Sequence, residues 1–93
     1  MSLLKAPSHP GRVLRSLYLE PIGMSAIALA RRLGVPRTRI ERLLKGTTSM
    51  TPDTALRLAK AFGTTAAYWM NLQVNHDLAN AEVDVAAIEP IAA

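Results

Sequence analysis

Residues 26–43 read Ala26-Ile27-Ala28-Leu29-Ala30-Arg31-Arg32-Leu33-Gly34-Val35-Pro36-Arg37-Thr38-Arg39-Ile40-Glu41-Arg42-Leu43. Two short amphipathic segments flank a glycine. Ser25 can cap the first by accepting a bond from an orphan N–H of the opening turn. Ile27, Ala30 and Leu33 are its expected apolar stripe. Gly34 ends it, where a left-handed conformation is easily adopted. The second segment runs from about Pro36 to Lys45, with Gly46 as its stop. At about 100° per residue, Ile40, Leu43 and Leu44 fall on one side of it, and Thr38, Glu41, Arg42 and Lys45 on the other. Arg37 and Arg39 flank the polar side.

Two helices joined by a tight glycine turn are the pattern of a helix-turn-helix, whose second helix enters the DNA major groove. Ala30 is small where the two helices must approach. Ile40 and Leu43 pin the second helix to the core. The chemistry of the polar side suits base readout. Arg37 and Arg42 carry planar donor forks that match guanine O6 and N7. Glu41 suits a cytosine amino group, and Thr38 a thymine methyl or a phosphate. Arg39, Lys45, Thr47 and Ser25 are the candidates for DNA phosphate. Thr47, Thr48 and Ser49 read equally as plain turn chemistry. The bland reading of the whole segment is a solvated basic helix.

Working outward, three more helices follow. A helix starts at Pro10, where a missing N–H is harmless. Val13, Leu14 and Leu17 are its expected inner face, and Pro21 and Gly23 stop it. Downstream, Thr51 caps a helix that opens on Pro52 and Asp53 and closes at Gly63. Ala55, Leu58, Ala59 and Phe62 form its inner face. A last helix starts after Thr64 or Thr65 and runs to about Leu78. The expected organisation is an arm (1–9), an all-α five-helix domain (10–78) and a short acidic tail (79–93). Val83 and Val85 in the tail alternate as in a strand, while Pro90 argues against a long helix.

Composition agrees. Alanine and leucine are the commonest residues and both favour helix. With 93 residues there is room for one domain. There is no cysteine, which excludes disulfides, thiolate metal sites and a cysteine nucleophile. The net charge is +4. Residues 1–75 hold all 11 basic residues and three acidic ones, a net +8, against −4 over residues 76–93. Such asymmetry suits a polyanionic partner on the body and a separate contact for the tail. No signal segment or membrane-length apolar run is present in the sequence, so a cytoplasmic location is expected.

Other residues earn bland readings. Trp69 and Leu72 are expected in the core or at a dimer contact. His9 is expected to be inert in the arm. His76 beside Asp77 has no second ligand nearby in sequence, so no metal or catalytic role is assigned. A small hydrolase is the reading from another class; no paired acid–base or ligand cluster supports it.

The chain resembles the HigA (VapI-like) antitoxins, small lambda-repressor-type helix-turn-helix proteins. The matching residues begin with His9-Pro10-Gly11 and Leu14, Leu19-Glu20-Pro21, and Leu29-Ala30 through Leu33-Gly34-Val35. They continue with Thr51 to Ala59, Phe62-Gly63-Thr64, Tyr68-Trp69 and Asn71-Leu72-Gln73. The likeness spans about residues 7–78. The resemblance implies a lambda-repressor-like fold and a homodimer that binds palindromic double-stranded operator DNA and represses its own operon. It also implies a partner toxin, a small basic HigB-like ribonuclease. It implies no cofactor and no membrane. A stand-alone repressor without a toxin is the alternative.

Overall fold

The computed structural model describes residues 7–92. Most of the expected arm (1–9) lies outside the described residues. Five helices form the body, with no strand among the described residues. The first, α1 (Pro10–Val13), continues without a break through a π-helical stretch (Leu14–Leu19) and a 3-10 turn (Glu20–Ile22). Then come α2 (Ala26–Leu33), α3 (Arg37–Lys45), α4 (Pro52–Phe62) and α5 (Ala66–Asn80).

The widened first helix changes which residues face inward. Regular spacing pairs Leu14 with Leu17. In the π-helical stretch each turn takes up an extra residue, and Glu20 N–H reaches back to the Arg15 carbonyl. Leu14 and Leu19 therefore share the buried face, and Leu17 is turned out, 65% exposed. Pro21 supplies a reason. It has no N–H to give the Leu17 carbonyl, and its ring would crowd that carbonyl in a regular helix.

Local signals explain the other ends. Ser25 Oγ accepts Ala28 N–H at 3.1 Å, Thr51 Oγ1 accepts Thr54 N–H at 3.4 Å, and Thr65 Oγ1 accepts Tyr68 N–H at 3.1 Å. Gly34, at φ +71°, lets α2 stop and turn within three residues into α3.

The core gathers Leu14 and Leu19, Leu29, Ala30 and Leu33 of α2, Ile40 and Leu43 of α3, Met50 of the following loop, Ala55 and Leu58 of α4, and Trp69 of α5. In α2 the inner residue is Leu29. Ile27, expected on the stripe, is 45% exposed, because only the Leu29–Ala30–Leu33 arc meets α3 and α4. Tyr18 packs its ring against Phe62 at 5.1 Å and Trp69 at 5.0 Å between centroids. Trp69 Nε1 donates to Thr64 Oγ1 at 2.8 Å, so the buried indole keeps its hydrogen bond. Residues 81–92 are exposed and form neither helix nor strand, only a turn closed from Ile88 N–H to the Val85 carbonyl.

Candidate nucleic-acid interface

The apolar side of α3 is sealed: Ile40 and Leu43 are buried, and Leu44 is half-buried. That burial fixes which side remains outside. Arg37, Thr38, Arg39, Arg42 and Lys45 are exposed, and Glu41 is half-buried. The base-reading candidates therefore share one accessible surface. Arg31 and Arg32 are also exposed, in the last turn of α2.

The four phosphate candidates sit differently. Lys45 is exposed in the last turn of α3. Thr47 follows Gly46 and its Oγ1 donates to the Arg42 carbonyl at 3.1 Å, closing the end of α3. Ser25 lies at the start of α2, its oxygen engaged as the cap. Arg39 is paired: its Nη1 donates to Asp53 Oδ1 at 2.7 Å. The same Asp53 oxygen accepts Arg57 Nε at 2.8 Å, and Arg57 Nη1 donates to the Leu33 carbonyl at 2.7 Å. One carboxylate oxygen thus joins α3 to α4, and Arg57 carries the link to the end of α2. The Arg57 hydrogen bond, followed by that of Arg39, holds the Asp53 carboxyl below the usual carboxylate range. These are the only ion pairs among the described residues.

Between α3 and the start of α4 lies a cleft of about 380 Å³. Thr38, Arg39 and Arg42 line one side, and Thr48, Ser49, Thr51 and Asp53 the other. Hydroxyls and guanidinium groups facing one another form a donor-rich surface suited to phosphate oxygens.

Ala30, Ile40, Leu43 and Trp69 are buried, Leu72 is half-buried, and Gly34 makes the turn. Sequence reasoning passed over four others. Asp53 and Arg57 could have been noticed as an i, i+4 pair; their reach to Arg39 and Leu33 could not. Gln73 is buried, its Oε1 accepting Met50 N–H at 2.7 Å, so α5 holds the loop that follows α3.

His9 is the fourth, and the structure corrects its reading as inert. Its Nδ1 accepts Gly11 N–H at 2.9 Å as the cap of α1, and its Nε2–H donates to the Thr48 carbonyl at 2.9 Å. His76, thought isolated from a second histidine, lies edge-on to His9 with centroids 5.2 Å apart. Its Nδ1–H donates to the Pro7 carbonyl at 3.0 Å. Among the described residues no three His, Asp or Glu side chains come together as a metal site. No single helix among them is long and apolar enough to cross a membrane.

The comparisons with known proteins agree with this geometry. The helix-turn-helix family model matches residues 16–69. Virulence-associated protein I of Dichelobacter nodosus is 46% identical over 83 residues, covering 89% of this chain and 77% of that protein. Antitoxin HigA of Pseudomonas aeruginosa, solved with the higBA promoter, has 38% identity and a TM-score of 0.77 over 78% of this chain and 79% of its own. Antitoxin GraA in complex with its operator has 36% identity and a TM-score of 0.85 over 94% of this chain and 93% of its own. Helix order, glycine turn and sequence together place this chain in the HigA (VapI-like) antitoxin family of helix-turn-helix proteins, a non-enzymatic family.

Proposed function

We propose that this chain is the antitoxin of a type II toxin–antitoxin pair, working in the cytoplasm. It binds operator DNA as a homodimer, represses its own operon and neutralises a small basic HigB-like ribonuclease. The observation that carries the reading is α3 itself, sealed on one side by Ile40 and Leu43 and open on the other with five exposed polar or cationic side chains. Similar chains of this fold have been solved with promoter or operator DNA.

In this reading α3 lies in the major groove. Arg37, Thr38, Glu41 and Arg42 address base edges, where a bidentate arginine discriminates most strongly. Lys45, Thr47 and Ser25 hold the backbone, while Arg39, the fourth phosphate candidate, stays engaged by Asp53. Two copies set their α3 helices about 34 Å apart, one turn of DNA. The exposed tail, with Glu82, Asp84 and Glu89, offers a basic toxin an oppositely charged approach, which speeds encounter more than it deepens affinity.

The test is co-expression with any small basic protein encoded beside this one, followed by titration of the purified complex on the upstream DNA over a salt series. Toxicity of the neighbour alone, rescue by this chain and co-purification are expected, with log affinity falling linearly against log salt. DNA binding without any neutralised neighbour would leave a stand-alone repressor. A flat salt series would overturn the DNA reading.

A further inference from the structure

We propose that Asp53 is a positioning residue for DNA recognition: it holds Arg39 away from indiscriminate phosphate contact and keeps α3 in a fixed setting against α2 and α4. The inference rests on the DNA reading above and names a specificity device within that surface.

A negative charge on a surface that meets polyanionic DNA weakens binding, and Asp53 lines the same cleft as Thr38, Arg39 and Arg42. Its side chain is open to solvent, 55% exposed, so nothing forces a carboxylate there for packing. Helix capping does not require it either, because Thr51 already caps α4. What the carboxylate does is take two guanidinium groups on one oxygen, Arg39 at 2.7 Å and Arg57 at 2.8 Å. Arg57 then reaches the Leu33 carbonyl at the last residue of α2, next to the Gly34 turn. α3 is thereby tied to α4 through the acid, and α2 through the arginine that the acid holds.

Without that tie, Arg39 becomes a long mobile cation beside the groove. Such a group finds a phosphate on any duplex, so it strengthens binding to all sequences alike. Held by Asp53, it contributes orientation instead. The ratio of affinities for cognate and random DNA is then higher than the cationic surface alone would deliver, which is the quantity that matters against a genome of competing sites.

The probes are the duplex most enriched by the wild-type chain from a randomised pool of about three helical turns, and an unselected random duplex of equal length. Asp53→Asn removes the charge. Random-duplex affinity should rise by up to about fivefold, the upper range of an exposed ion pair. The enriched duplex should gain less, so the ratio falls. The salt slope on random DNA should steepen by about 0.9, one added phosphate contact. Made in an Arg39→Gln background, the same change should leave ratio and slope where Arg39→Gln alone put them. Thermal melts of each variant report the fold separately, and a lost melt cannot produce a gain in affinity. An unchanged ratio in Asp53→Asn overturns the proposal. So does an equal gain on random DNA in the Arg39→Gln background, which would make Asp53 a simple repulsive charge. Failure of the wild-type chain to enrich any duplex would overturn the DNA reading and the proposal with it, a result distinct from the other two.

Discussion

The side-chain carbonyl of Gln73 accepts the backbone N–H of Met50 at 2.7 Å, inside the core and 23 residues away along the chain. The Gln73 amide nitrogen donates in turn to Asp77 Oδ1 at 2.9 Å, which fixes the amide the right way round. The last helix therefore sets the height of the loop between α3 and α4. Replacing Gln73 by Leu leaves the buried Met50 N–H unpaired. Urea unfolding should show a loss of about 1–3 kcal/mol. A loss below about 0.5 kcal/mol would mean that the N–H has found another partner.

Gly11 packs directly against the Leu43 carbonyl, and an added Cβ would run into that backbone oxygen. The neighbour belongs to the body of α3 and cannot swing aside like a side-chain tip. Gly11→Ala should lower stability by about 1–3 kcal/mol, the range of overpacking, and displace α3. Thermal unfolding and titration on the enriched duplex should fall together. Unchanged affinity would show that α3 keeps its place.

His9 accepts Gly11 N–H through Nδ1 and donates to Thr48 through Nε2, so both ring nitrogens are committed to the neutral form. Burial lowers its pKa from 6.5 most, with His76 acting in the same direction, against the Thr48 bond and Asp77, which raise it. A depressed histidine pKa means the unfolded chain binds the proton more readily. The stability from His9 is therefore present above pH 6.5 and is lost as pH falls below 6.5 toward and through the lower folded value. His9→Asn keeps a capping acceptor without titrating. Unfolding series from about pH 7.5 to about pH 5 should be flatter in the variant. Parallel curves would remove His9 from this account.

Trp69 is fully buried and hydrogen-bonded to Thr64. Trp69→Ala should lower stability by about 3–5 kcal/mol through the cavity it leaves. Trp69→Phe retains much of the ring but strands the Thr64 hydroxyl, for a smaller loss that includes about 1 kcal/mol from the hydrogen bond. Equal losses from the two variants would contradict a role dominated by packing.

In the proposed reading of α3, Arg42 addresses a base edge and Lys45 a phosphate. Arg42→Ala should weaken binding to the enriched duplex by about 1–3 kcal/mol and relax one base position. Lys45→Ala should weaken enriched and random duplexes alike and reduce the salt slope by about one. An equal loss on both duplexes for Arg42→Ala would move that residue to the phosphates.

Much of the fold was legible because its signals are local. Ser25 and Thr51 are caps within three residues of the N–H they accept, and Gly34 stands where the chain reverses. The inner face of α3 was legible for the same reason: Ile40 and Leu43 recur at helical spacing. The first helix resisted that logic. Its apolar residues fit a regular period with Leu17 inside, whereas Pro21 and the widened turn put Leu19 there instead. Ile27 misled likewise, since a stripe drawn from spacing cannot say which arc its neighbours will cover.

By itself the sequence determined five helices, the caps Ser25 and Thr51, the glycine stops and the polar surface of α3, because each depends on contacts within a few residues. Only the tertiary structure decided how that surface is held. The Arg39–Asp53 pair joins residues 14 apart, Gln73–Met50 joins residues 23 apart, and the His9–Thr48 bond crosses 39. No periodicity records such pairs. They exist because burying Ile40, Leu43 and Trp69 in one core brings distant polar groups to hydrogen-bonding distance, where buried ones must find partners and exposed ones can set orientation.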